Sequence, residues 1–172
     1  MCIRDRFGTP QQIYNAPANL FVASFMGSPP MNFIPLRLQR REGRLLALLD
    51  SGQARCEVPL GMGGAGLEDR DVVLGLRPEQ FSLAPAAANG LPRLRAEVQL
   101  CEPTGPDLLV FVMLNQVKVC CRLPPEVPVR PGGNVNLQFD PARVLLFDAA
   151  SGERLTVTGG LGAGKVTRLK GR

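Results

Sequence analysis

The run in this 172-residue chain that comes nearest to a known chemical motif is Gly159–Lys165, GGLGAGK, placed after a strand-like Leu155–Thr158. A glycine-rich loop that ends in Gly-Lys cradles phosphates with its amides and its lysine. The chemistry also needs a hydroxyl residue next, to hold magnesium, and a helix opening at that point. Val166 follows instead, and the chain continues only to Arg172. The run therefore reads as the start of a flexible basic tail carrying Lys165, Arg168, Lys170 and Arg172. Gly61–Gly66 (GMGGAG) lacks a lysine and a following helix, and reads as a loop. Histidine is absent, which removes histidine zinc sites, Ser-His-Asp and Cys-His catalysis, and histidine general bases together. The five cysteines (Cys2, Cys56, Cys101, Cys120 and Cys121) form no C-x-x-C pair. Their odd number suits a reduced cytosolic setting.

Two polar corners remain as candidate interface or regulatory sites. Arg77-Pro78-Glu79 stands just past a strand, where Arg77 and Glu79 are placed to pair with each other or to meet a partner subunit. Glu102-Pro103-Thr104-Gly105-Pro106-Asp107 is a kinked connection whose ends, Glu102 and Asp107, border two strands. No residue qualifies as catalytic, cofactor-binding or metal-ligating, and the chain by itself is not expected to be an enzyme.

The elements that would carry these corners are mostly short strands. Gly (19) and Pro (16) are abundant, and apolar residues make up 45% of the chain, enough for a real core. From Phe33 the apolar period is two: Ile34, Leu36 and Leu38, then a turn at Arg41-Glu42-Gly43, then Arg44–Leu49, Ala54–Val58 and Val72–Leu76. Arg93–Cys101 is the clearest strand, with Leu94, Ala96, Val98 and Leu100 predicted to face the core. Asp107–Leu114 and Gln116–Leu123 form a hairpin in which Val117, Val119, Cys121 and Leu123 share a face, and Val135, Leu137 and Phe139 alternate after it. A type I turn at Asp140–Arg143 leads to a strand at Arg143–Phe147. Phe111, Phe139 and Phe147 are assigned to the core. Eight or more short strands predict a mainly β fold, a small barrel or sandwich.

The first residues differ. Thr9-Pro10 reads as a helix start. A second cap at Asn15 or Pro17 opens a helix over about Pro17–Met26, stopped by Gly27 and Ser28-Pro29-Pro30. Phe21, Val22 and Phe25 make this helix too apolar to stand free, so it is expected to dock on another surface and to be under-buried here.

Three stretches together resemble one family, the ATP-hydrolysing subunits of bacterial carbohydrate ABC importers of the maltose and glycerol-phosphate type. GTPQQIYNAPANLFVASFMGSPPMNF (Gly8–Phe33) resembles the end of the nucleotide-binding domain, and LGLRPEQF (Leu74–Phe81) resembles an L-G-[IL]-R-P-E-x-[FIL] segment. EPTGPDLLVFV, RLPPEVPVRPGG and LQFDPARVLLFDAASGERL, between Glu102 and Leu155, resemble the C-terminal transport-associated OB (TOBE) domain. SPPMNFIPLRL looks closest to glucose/mannose-type importers. The resemblance implies a small OB-like barrel over residues 34–158. Ahead of it, residues 7–33 would end a missing nucleotide-binding domain and residues 1–6 would be an unplaced start; residues 159–172 would be a basic tail.

In such importers two ATPase copies close on ATP and magnesium and drive membrane subunits that admit a sugar. The OB-type domain helps hold the pair together and in some members receives a regulator. A P-loop, an acidic metal-binding strand end, a Ser-Gly-Gly-Gln signature loop and a switch histidine have no match in this sequence. The resemblance thus implies the non-catalytic regulatory or dimerisation end of a sugar-import ATPase, without cofactor of its own. It would sit in the cytoplasm, peripheral to the membrane through permease subunits. The expected partners are a second ATPase copy, the permeases and a regulatory protein, and no nucleic acid, since exposed aromatics amid Lys/Arg are lacking. The alternative is a free-standing OB-type domain that binds a small oxyanion.

Overall fold

A computed structural model of the chain describes residues 9–61, 66–87 and 89–156. The predicted tail at 159–172, its P-loop-like run, the start at 1–6 and the centre of the Gly61–Gly66 loop lie outside those residues. Two short helices come first, α1 (Pro10–Asn15) and α2 (Leu20–Phe25). Twelve strands follow: β1 (Asn32–Arg37), β2 (Gln39–Arg41), β3 (Arg44–Asp50), β4 (Arg55–Pro59), β5 (Asp71–Leu76), β6 (Ser82–Leu83), β7 (Arg93–Pro103), β8 (Leu108–Leu114), β9 (Val117–Leu123), β10 (Asn134–Gln138), β11 (Leu145–Asp148) and β12 (Arg154–Leu155). The fold is mainly β, an OB-like barrel preceded by two short helices, as expected.

The strands form three antiparallel sheets, ordered β1-β5-β11-β12, β6-β10-β7-β8-β9 and β2-β3-β4. They share one core. Ile34, Leu38, Leu45, Leu49, Leu74, Leu76, Leu94, Val112, Leu123, Leu137 and Phe139 belong to a single buried cluster drawn from all three. Each fully buried Leu or Phe contributes about 1.5–3 kcal/mol relative to exposure. Two tight hairpins set the register. Asn115 and Gln116 join β8 to β9 with φ of 47° and 65°, and Glu42-Gly43 joins β2 to β3 with 50° and 76°. Paired positive φ values give the turn handedness that matches strand twist.

Two asparagines tie the sheets together. Buried Asn32 on β1 donates to the Leu76 carbonyl (3.0 Å) and the Cys120 carbonyl (2.8 Å), and accepts from the Cys120 amide (2.8 Å). Asn115 accepts from the Asp50 amide (2.7 Å) and donates to the Leu48 carbonyl (3.2 Å). These bonds join β5 and β9, and the β8–β9 turn and β3, through side chains where no ladder runs.

Four expectations are corrected. The second helix is Leu20–Phe25, capped by Asn19 through its bond from the Val22 amide (2.9 Å), because Ala18 and Asn19 are held extended by the Ala18 carbonyl accepting from Arg154 (3.0 Å). Leu100 does not face the core; the β7–β8 register shifts between Val98 and Leu100, and the extra residue turns Leu100 outward. Phe111 is only half-buried, on the outer face of β8, with Lys118 Nζ 4.7 Å from its ring centre. Pro141–Arg143 forms a 3-10 turn started by Asp140, so β11 begins at Leu145.

Candidate interface at the Arg77 corner and the exposed helix

Leu74-Gly75-Leu76-Arg77-Pro78-Glu79 ends β5, and each residue has a physical task. Leu74 and Leu76 are fully buried in the common core. Gly75 lies where two side chains converge: a Cβ there would stand 2.7 Å from Met31 Sδ and 2.8 Å from a Phe147 ring carbon. Pro78 opens a 3-10 turn through Gln80, and the Gln80 Oε1 accepts from the Arg77 amide at 2.9 Å.

Arg77 is 3% exposed, which is unusual for an arginine. Nη1 donates to the Met26 carbonyl at 2.6 Å, and Nη2 donates to the Tyr14 carbonyl. The guanidinium lies 3.5 Å from the centre of the Tyr14 ring. The Tyr14 hydroxyl donates to Glu79 Oε1. Arg77 and Glu79 therefore meet through Tyr14 rather than as the ion pair expected between them. Gly27, at φ 110°, lets the chain turn beside this group; a Cβ there would approach Arg77 Nη1 to 3.2 Å. Burial raises the Tyr14 phenol above its ordinary 10.0, the bond to Glu79 raises it further, and Arg77 opposes both.

The second helix is anchored differently. Ala23 is fully buried against Met31 and Phe147, with Leu20, Phe33 and Val73 around them. The Leu20 amide donates to the Gly152 carbonyl at 2.9 Å. This leaves the opposite face bare. Phe21 and Phe25 are 71% and 72% exposed, their rings 4.7 Å apart, while Val22 is half-buried.

The second candidate corner is looser. Glu102 and the residues through Pro106 are exposed, and Gly105 turns with φ 93°. Asp107 is half-buried, and its carbonyl accepts from the Thr104 amide (2.9 Å) and hydroxyl (3.0 Å). Arg122 Nε stands 3.4 Å from Asp107 Oδ2, an ion pair without hydrogen-bond geometry, and Arg122 Nη2 donates to the Ser28 carbonyl at 2.5 Å. Glu102 and Asp107 thus sit well apart from the Arg77 group in role: the first pair borders a turn, the second holds a helix.

Among the described residues the four cysteines are unpaired and no three His, Cys, Asp or Glu side chains gather as metal ligands. Burial pushes the Cys56 thiol up to about 12 and Cys120 to about 11, and holds Cys121 well above its ordinary value. No helix among the described residues is long and apolar enough to cross a membrane. Sequence reasoning missed Tyr14, Asn32 and Arg122. Tyr14 carried the one available signal, as the sole tyrosine of the chain standing in a short helix.

Residues 27–81 match the family model described as the MalK OB fold domain, and residues 74–147 match that of the TOBE domain. The sulfoquinovosyl glycerol transport ATP-binding protein of Agrobacterium fabrum is 35% identical over 147 residues, 86% of this chain and 39% of that protein. The sn-glycerol-3-phosphate import ATP-binding protein of Escherichia coli K12 is 33% identical over 153 residues, 89% of this chain and 41% of the relative. The trehalose import ATP-binding protein of Mycobacterium tuberculosis is 33% identical over 183 aligned positions, 90% of this chain and 45% of the relative. The chain spans about two-fifths of the length of these relatives. Among solved structures, the molybdate-binding protein ModG aligns with a TM-score of 0.47 and 11% identity, covering 67% of this chain and 94% of that one.

Proposed function

We propose that this β-domain, which belongs to the MalK OB fold and TOBE domain families, is the C-terminal regulatory and dimerisation module of a sugar-import ATPase subunit. The carrying observation is that the likeness to import ATP-binding proteins takes in 86–90% of this chain but only 39–45% of theirs. On this reading the parent protein hydrolyses ATP with magnesium, while the present residues do not. The exposed Phe21 and Phe25 then dock on the ATP-binding domain, the subunit pairs with a second copy, and permease subunits hold it at the cytoplasmic face of the membrane. The Glu102 and Asp107 corner is the surface offered to a regulator.

What supports the reading is the shape of the molecule as well as its relatives. Arg77 and Gly75 are consumed in packing, so the LGLRPE segment acts inside the fold. Among the described residues the two most exposed large apolar side chains, Phe21 and Phe25, belong to the helix that precedes the β-domain. Joining this chain to the ATP-binding domain of the Escherichia coli glycerol-phosphate relative, in place of that protein's own matching part, tests the proposal. Restored pairing and ATP-driven import are expected. Pairing no better than that of the ATP-binding domain alone would overturn the module reading, and ATP turnover by the purified chain would overturn the non-catalytic one.

A further inference from the structure

We infer that Arg77, Tyr14 and Glu79 form a latch that decides whether α1 is a helix at all, and that it opens independently of α2. Three observations converge. First, α1 has only six residues, and its capping box between Thr9 and Gln12 is its sole internal support beyond its own ladder. A helix of that length is unstable alone in water, because nucleation costs more than so few bonds return. It also buries no residue completely. Its order must come from what touches it, and the contact is the Arg77 group.

Second, that contact is concentrated in one side chain. The Arg77 fork takes the carbonyl of Tyr14 inside α1 and the carbonyl of Met26 just past α2, and its central carbon lies over the Tyr14 ring. Glu79 then takes the Tyr14 hydroxyl from the other end. A planar guanidinium alone offers two parallel donors and a stacking face together; a lysine in its place keeps the charge but loses the geometry. Third, α2 has a seat of its own besides the single Arg77 bond to its C-cap carbonyl at Met26. It is seated by Ala23 and Leu20 on Met31 and Phe147, and by the Leu20 and Arg154 amides bonding to Gly152 and Ala18. Releasing Arg77 leaves those contacts intact. The segment thus holds two separable anchors, one polar and one packed.

The chain carries its own reporter, having one tyrosine and no tryptophan. A phenol hydrogen-bonded to a carboxylate loses its excited state by proton transfer, so a closed latch is dim. Tyrosine emission and hydrogen exchange of the whole chain provide the test. In the native chain, emission should rise on unfolding in urea, and the Ile13 and Ala16 amides, which bond to Thr9 and Gln12, should be protected. Arg77→Lys should brighten Tyr14 and speed exchange at Ile13 and Ala16 about tenfold or more, the usual weight of a charged hydrogen bond. The Leu20 amide should keep its native rate. Tyr14→Ala, at a half-buried site that is not part of the buried core cluster, should speed the same two amides even if the Arg77 variant fails to fold. Native exchange rates at Ile13 and Ala16 in Tyr14→Ala would overturn the inference. So would unprotected α1 amides in the native chain, or equal acceleration at Leu20.

Discussion

At the residue scale, chemistry in this chain is mostly suppressed. The thiols show it. Cys56, Cys120 and Cys121 are buried and their pKa values raised, so little thiolate forms at neutral pH. Mass spectrometry after brief alkylation should find Cys101 modified among the described cysteines, and the other three only after denaturation. Tyr14 gives a pH prediction. Burial and then Glu79 raise its folded pKa above 10.0, against the opposing charges of Arg77 and Arg122. A raised folded pKa means the native state holds its proton longer. The stability this lends is fully present below pH 10 and is lost as pH rises through the folded value. The tyrosinate absorbance midpoint should therefore lie above 10.0 in the native chain and move down toward it in Glu79→Ala. The Tyr14 contacts were not legible in the sequence. Tyr14 drew no reading of its own, and Arg77 and Glu79 looked like possible partners, because a sequence does not say that a ring from another element will come between them.

At the element scale the reading went further. The period of two located β1, β3, β5, β7, β9 and β10, since a strand with one buried face writes its alternation directly into the chain. Asn115-Gln116 was placed as the hairpin turn by its position between two such runs. The errors have a common cause. Leu100 and Phe111 both fit the alternation locally, but a bulge in β7 and the outward face of β8 are decided by the pairing partner. Asn32 carried no periodic signal, because its three bonds reach residues 44 and 88 positions away. Gly75 belongs at this scale too. Gly75→Ala would push a methyl into Met31 and Phe147, and should cost about 1–3 kcal/mol, seen as a lower urea midpoint at unchanged slope.

For the whole molecule, the fold was readable as mainly β, and the partnership proposed above was suggested only by resemblance. A net charge of +5 with its excess in the final segment gave no stripe for nucleic acid, and no pattern of spacing pointed to a transporter. The apolar pair on α2 did point outward, and it remains bare in the folded chain. Replacing Phe21 and Phe25 together with serine should leave the unfolding free energy within about 0.5 kcal/mol, as for other surface changes. The same double variant should weaken capture of this chain by a purified ATP-binding domain. Equal capture by both forms would remove Phe21 and Phe25 from the contact.

The seat of α2 also has a consequence in time. Leu20 finds its acceptor at Gly152 and Ala18 its donor at Arg154, at opposite ends of the described chain. A ribosome adding roughly 5–20 residues per second needs on the order of ten seconds to make the intervening polypeptide. Through that interval the Leu20 and Ala23 face of α2 lacks Phe147 and Gly152, the part of its seat that is made last. The nascent chain must therefore carry the Leu20 and Ala23 face unseated until Gly152 and Arg154 emerge, whereas Phe21 and Phe25 stay bare before and after.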